Sequence, residues 1–260
     1  MSTRKTPAAA TPEQPAWVGP APTGVRMTSA DHGGLEVRQV TVARGAAQAV
    51  VDATLAVRPG EVVALIGANG AGKSSLLDAI AGVAAIQSGS VTLDGLSLTG
   101  RARVGRVKAG LAYVEQGRTV FKALTVRENL QVVAGHAQRL GQTLEMFPEL
   151  EKRWDTPAGL LSGGEQQMLG IARALALKPR YLMIDEMSLG LAPLVTMRLM
   201  QLLETIRAQG IGVLLVEQFG RLALRHASAA VVMTRGRVVW SGPSAELLAA
   251  PHLIEAAYLG

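Results

Sequence analysis

The chain has 260 residues, a formal net charge of +6 and an apolar share of 48%, enough for one α/β domain with a substantial core. Zero cysteines exclude a disulfide framework, thiolate chemistry and a cysteine-based zinc site, and His32, His136, His226 and His252 lack metal-ligand spacing. A pI near 10.1 admits nucleic acid, an anionic membrane face or a phosphate-rich ligand, but aromatics at 3% and scattered basic residues argue against a base-stacking platform.

Residues 1–33 are rich in Pro, Ala, Thr and Gly and lack the continuous apolar core of a secretory signal, so a disordered leader is expected. Broken apolar patterns over 35–42 and 49–57 predict antiparallel strands that end at Pro59-Gly60. Glu61-Val62-Val63-Ala64-Leu65-Ile66 predicts a strand buried on both faces. A helix is expected from Ser74 to Ala81, a strand over 89–94, and a mostly helical block over 124–175 with breaks at Gly and Pro.

Tyr181-Leu182-Met183-Ile184 returns to a buried strand. Leu194, Val195, Leu199, Leu202, Leu203 and Ile206 then recur at helical spacing, and 211–216 is strand again. Strands over 229–233 and 238–240 flank a hairpin turn at Thr234-Arg235-Gly236-Arg237, and the tail from Ser244 is helical. Alternating strands and helices predict an α/β fold with a largely parallel core sheet, an N-terminal antiparallel patch and a helical insertion. No stretch of about 18 or more residues escapes Arg, Lys, Asp or Glu with high hydropathy throughout, so no bilayer-spanning helix is expected.

Gly67-Ala68-Asn69-Gly70-Ala71-Gly72-Lys73-Ser74 fits GxxxxGK[ST] between a predicted strand and a predicted helix, the setting of a phosphate loop. Its backbone amides, with Ser75 just inside the helix, would cradle phosphates, Lys73 would reach the β- and γ-oxygens, and Ser74 would ligate Mg²⁺. Asp185-Glu186 follows the apolar strand directly, so both carboxylates emerge at its C-terminal mouth, where such sheets bind ligands. Asp185 is placed for the Mg²⁺ shell and Glu186 to orient and deprotonate an attacking water. In Leu161-Ser162-Gly163-Gly164-Glu165-Gln166-Gln167, Ser162 and Glu165 form a capping box that stabilises a helix with or without a ligand. The same exposed amides, with Ser162 and Gly164, could instead form a second phosphate clamp.

The phosphate loop, Leu-Ser-Gly-Gly-Glu-Gln-Gln and Asp185-Glu186, in this order and spacing, resemble the ATP-binding cassette (ABC) ATPases over about residues 35–260. The resemblance implies a P-loop NTPase with a RecA-like parallel-sheet core, an N-terminal antiparallel β subdomain and a helical subdomain at about 118–176, within a nucleotide-binding domain of 34–260. It implies ATP and Mg²⁺ as ligands and head-to-tail pairing of two cassettes, so that Ser162, Gly163 and Gly164 serve the ATP on the partner. It places Gln116 in the loop that touches Mg²⁺ and the attacking water, Gln218 at the switch position, and 188–191 in the loop facing its counterpart across the dimer.

Gln116-Gly117-Arg118-Thr119-Val120-Phe121, Ser188-Leu189-Gly190-Leu191-Ala192-Pro193, Leu215-Val216-Glu217-Gln218 and Ala256-Ala257-Tyr258-Leu259-Gly260 are similar to the second ATPase of branched-chain amino-acid importers. That resemblance implies a peripheral subunit on the cytoplasmic membrane face, a non-identical partner cassette, two permeases and, indirectly, a solute-binding protein, with no direct nucleic-acid contact. Three positions depart from the wider family. Arg44 stands where an aromatic usually stacks on adenine, Gln218 where many members carry His, and Met187 where Pro usually follows the carboxylate pair.

Overall fold

The computed structural model describes residues 33–117, 120–134, 140–218 and 220–259; the expected leader lies outside them except for Gly33. Strand β1 (Leu35–Arg44) turns tightly into β2 (Ala47–Val57), and the two pair antiparallel with Arg44 opposite Ala47. On the other edge of β1 lie β4 (Ser88–Leu93) and the short β5 (Leu96–Ser97), giving the order β2-β1-β4-β5.

The second sheet has the order β10-β9-β3-β8-β7-β6, formed by β3 (Val62–Ile66), β6 (Leu111–Val114), β7 (Tyr181–Asp185), β8 (Gly212–Val216), β9 (Ala229–Thr234) and β10 (Arg237–Pro243). All neighbours are parallel except the β9–β10 hairpin. Every residue of β3, β7 and β8 is buried, which is why these strands read as unbroken apolar runs. Their side chains nevertheless alternate between two cores. Val63, Leu65, Met183, Leu214 and Val216 face α1 (Lys73–Ala81) and the antiparallel sheet. Val62, Ala64, Ile66, Leu182 and Ile184 face the helical side, with α6 (Gly163–Ala176), α7 (Pro193–Ala208) and α8 (Gly220–His226).

Helix α1 is packed by both sheets, so Leu76, Leu77, Ala79 and Ile80 are fully buried around its circumference. Truncating Leu76 to Ala would cost about 3 kcal/mol by cavity formation. Its C-terminal carbonyls are closed by Arg106 of α2 (Arg103–Lys108), whose Nη1 donates to Ala79 and Ile80 at 2.7 Å each. The helical block comprises α3 (Val126–Ala134), α4 (Gly141–Met146), α5 (Pro148–Glu151), a 3₁₀ turn (Ala158–Leu160) and α6. Buried Asn129 of α3 fixes the loop leading into it, donating to the carbonyls of Phe121, Leu124 and Thr125 and accepting from the Phe121 amide. Helices α9 (Ser244–Ala249) and α10 (Pro251–Leu259) close the chain over the helical side.

The strands, the N-terminal hairpin and the long helix α7 stand where the apolar patterns place them. The sequence reading leaves β5, α2 and β6 unassigned. Each is two to six residues long, too short for its apolar residues to establish a period of 2 or 3.6.

Candidate active site

The C-terminal ends of β3, β6, β7 and β8 share one edge of the parallel sheet, and the predicted residues gather there. The loop after β3 enters α1 through Gly72, whose φ is 98°. A side chain at Gly72 would place Cβ 2.4 Å from the Ala49 carbonyl oxygen, so both conformation and space demand glycine. Helix α1 has no side-chain cap and no acidic residue in its first turn, which leaves its N-terminal dipole and amides for an external anion. Lys73 is buried, and its Nζ donates to the Gly67 and Ala68 carbonyls at 2.7 and 2.9 Å. Burial lowers its pKa, opposed by the negative charges of Glu186 and Asp185.

Asp185 closes β7 and is 1% exposed, yet its Oδ1 has no hydrogen-bond partner among the described residues. Burial raises its pKa, countered first by a hydrogen bond from Ser74, with Glu186 raising it further. A buried carboxylate oxygen without a partner is costly. The free Asp185 oxygen and the Ser74 hydroxyl are hard oxygen donors suited to a divalent cation, and the Lys73 ammonium nearby supplies positive charge for phosphate oxygens. The residues therefore fit a nucleoside triphosphate with Mg²⁺.

Glu186 is the first residue beyond β7. It holds a left-handed φ of 50°, unusual for a residue with a side chain, fixed by its amide donating to Val216 O at 2.9 Å. Strand register explains its next contact: Val114 of β6 lies opposite Ile184 of β7, so the residues two beyond each, Gln116 and Glu186, come level. Gln116 Nε2 donates to Glu186 Oε2 at 2.5 Å. Gln218, two residues beyond β8, is half-buried at the same edge. A groove of about 200 Å³, lined by Arg103, Arg106, Tyr113, Glu115, Val133 and Arg173, runs between the helical block and the sheet and reaches Glu115, the residue before Gln116 in the chain.

The ABC transporter family matches residues 50–188. The chain is 41% identical over 232 residues, 87% of its length and 99% of the relative's, to the high-affinity branched-chain amino acid transport ATP-binding protein BraG of Pseudomonas aeruginosa. The chain belongs to the ABC transporter family. A probable branched-chain amino acid transport ATP-binding protein, LivF of Archaeoglobus fulgidus, is 38% identical over 74% of this chain and 84% of that protein. The crystal structure of an ABC-transporter cassette in its ADP conformation superposes with a TM-score of 0.78, covering 87% of this chain and 98% of that one at 24% identity, and so shares the fold.

In this cassette the turn at Ser162-Gly163-Gly164 is held by its own helix and by α7. Ser162 caps α6 as a complete capping box: Glu165 N donates to Ser162 Oγ at 3.3 Å, and Ser162 N donates to Glu165 Oε2 at 2.8 Å. Gly164 packs against α7, where a Cβ would meet Val195 Cγ1 at 2.4 Å. Among the described residues, Ser162, Gly163 and Gly164 make no hydrogen bond to 67–75. Met187 is buried in the helical-side core, and Arg44 pairs with Asp78 of α1 at 2.7 Å.

Sequence reasoning missed Glu217 and Tyr258. Glu217 is buried at the end of β8 and accepts from the Ser188 amide at 3.0 Å and the Ser188 hydroxyl at 2.6 Å, tying the turn after Glu186 to the turn carrying Gln218. Burial raises its pKa to about 7, against the two Ser188 bonds. A carboxylate immediately after an apolar strand is the same signal that exposes Asp185-Glu186, so Glu217 was legible in principle. Tyr258 carries no comparable local signal.

Proposed function

We propose that this chain is the ATP-hydrolysing motor of an importer for branched-chain or related amino acids, seated peripherally on the cytoplasmic face of its membrane. The convergence of Lys73, Ser74, Asp185, Glu186 and Gln116 at one sheet edge carries the enzymatic reading, and similarity to BraG over nearly all of that relative supports the solute class. The domain that does this work is 34–260, with a helical subdomain at about 118–176. Among the described residues no helix is long and apolar enough to cross a membrane, so the translocation path belongs to permease partners.

The reaction is phosphoryl transfer from ATP to water. Amides of 67–75, with Asn69 at the loop tip, cradle the phosphates, and Lys73 leaves the Gly67 and Ala68 carbonyls to meet the β- and γ-oxygens. Ser74, Asp185 and Gln116 would hold Mg²⁺, which when bound neutralises phosphate charge. Glu186 orients water and takes its proton as the oxygen bonds to the γ-phosphorus; the bond to the bridging oxygen breaks and ADP leaves with that electron pair. Gln218 donates its amide hydrogen to the γ-phosphate without carrying a proton.

Among the described residues the Ser162 turn bonds within its own helix start and not to 67–75, which supports a role in the site of a second cassette; the resemblance to branched-chain importers implies that this partner is non-identical. A permease segment lying in the groove against Glu115 would act through the chain on the next residue, Gln116, which bonds Glu186, and so join transport to hydrolysis. A solute-binding protein would select the amino acid outside. Purification from detergent-solubilised membranes through a tag on this chain tests the assignment. Two permeases and a second cassette should accompany it; ribosomes or nucleic acid without membrane proteins would overturn the transport assignment.

A further inference from the structure

Three segments distant in sequence meet at one phenol oxygen. From α10, Tyr258 Oη donates to the Gln218 carbonyl at 2.8 Å. A Cβ built on Gly220 would lie 3.0 Å from that oxygen and 3.4 Å from Cδ1 of Ile66, the residue just before the phosphate loop. The absence of a side chain at Gly220 is thus what lets α10 approach the ends of β3 and β8 together. The Gln218 carbonyl also accepts from the Gly220 amide at 3.2 Å, so the turn is compact and the phenol closes it from outside. Burial raises the phenol pKa, opposed by the amides of Gly67 and Gly220, which keeps the hydroxyl a proton donor at neutral pH. The ring itself packs on the helical-side core.

We infer that Tyr258 is a positioning residue for hydrolysis: its hydroxyl pins the turn carrying Gln218 to the entry of the phosphate loop, so the last helix sets where the switch amide stands. Tyrosine suits this task because its two side-chain torsions are held by packing while one polar atom does the holding. The inference rests on Gln218 serving the terminal phosphate. It concerns a backbone carbonyl, so it predicts a rate effect with little change in ATP affinity.

The test uses the assembly purified through a tag at the N-terminus of this chain, comparing parent, Tyr258→Phe and Gln218→Ala. Phe keeps the ring and removes only the hydroxyl. We expect Tyr258→Phe to lower kcat for ATP hydrolysis roughly two- to tenfold, the worth of one neutral hydrogen bond, with KM for ATP unchanged and Tm lowered by no more than about 4 °C. Gln218→Ala should lower kcat further. If Tyr258→Phe matches the parent while Gln218→Ala is impaired, the positioning role is overturned and the site assignment stands. A fall in Tm well beyond about 4 °C accompanying the loss of rate, or a raised KM at constant kcat, would also overturn it, marking the phenol as a packing or nucleotide-affinity residue. Full hydrolysis in Gln218→Ala would overturn the assignment of Gln218 and the inference with it.

Discussion

Helices α1 and α6 both begin at glycine-containing turns, and they treat their N-terminal amides in opposite ways. At α1 the cap is Gly72 in a left-handed conformation, with no side-chain acceptor and no first-turn acid. At α6 the cap is Ser162, whose hydroxyl and the Glu165 carboxylate satisfy the amides reciprocally, with Arg153 bound to Glu165 at 3.2 Å. One helix end is left open for an anion and the other is shaped before any ligand arrives. In the proposed function the phosphate loop is thus a binding site in its own right, and the Ser162 turn serves a ligand held by the partner cassette.

The difference can be broken most sharply at Glu186. Glu186→Gln keeps the Gln116 contact in reach but removes the base, and steady-state phosphate release should fall at least about 100-fold while filter-binding of ATP persists; retained turnover would remove Glu186 from the chemistry. Next in size is Glu217, between the two turns. Its carboxyl stands at about 7 against an ordinary 4.5, so the folded chain holds this proton more tightly than the unfolded one. Its contribution is present below about pH 4.5 and is lost as pH rises through 7, on the order of 3 kcal/mol in all. Glu217→Gln should flatten that slope in nucleotide-free thermal melts between pH 5 and 8; an unchanged slope would place the effect elsewhere.

At Gly72 the open end itself is tested. Gly72→Ala forces Cβ onto the Ala49 carbonyl and should cost about 1–3 kcal/mol of stability with loss of ATP binding, read by denaturant titration and nucleotide titration together. Ser162→Ala should cost only about 1 kcal/mol and leave ATP binding by this chain intact, while hydrolysis by the paired assembly falls. Equal damage to this chain's own ATP affinity would erase the contrast between the two ends.

What the sequence made legible follows the distance over which each feature is encoded. The phosphate loop, the capping box and Asp185-Glu186 are spelled within eight residues or fewer, and apolar continuity alone identifies β3, β7 and β8 as central strands. The Gln116–Glu186 contact depends on β6 lying beside β7, and β6 is a four-residue strand that no periodicity reveals. The pairing of Arg44 with Asp78 likewise depends on α1 packing against the antiparallel sheet. Tyr258 is further still from local rules: its role arises only where α10 lands, and Gly220, which admits it, looks like any helix-start glycine.

The position of α10 also decides where a reporter group can be attached without disturbing what it reports. At the opposite end of the strands the Gly34 amide and the Tyr181 hydroxyl both donate to Asp94, anchoring the start of β1 to the blunt end of β7, across the sheet from Asp185. A dye or fusion partner joined ahead of β1 hangs from that quiet end. The same group joined behind α10 pulls on the helix that carries Tyr258, a few residues from the Gln218 turn.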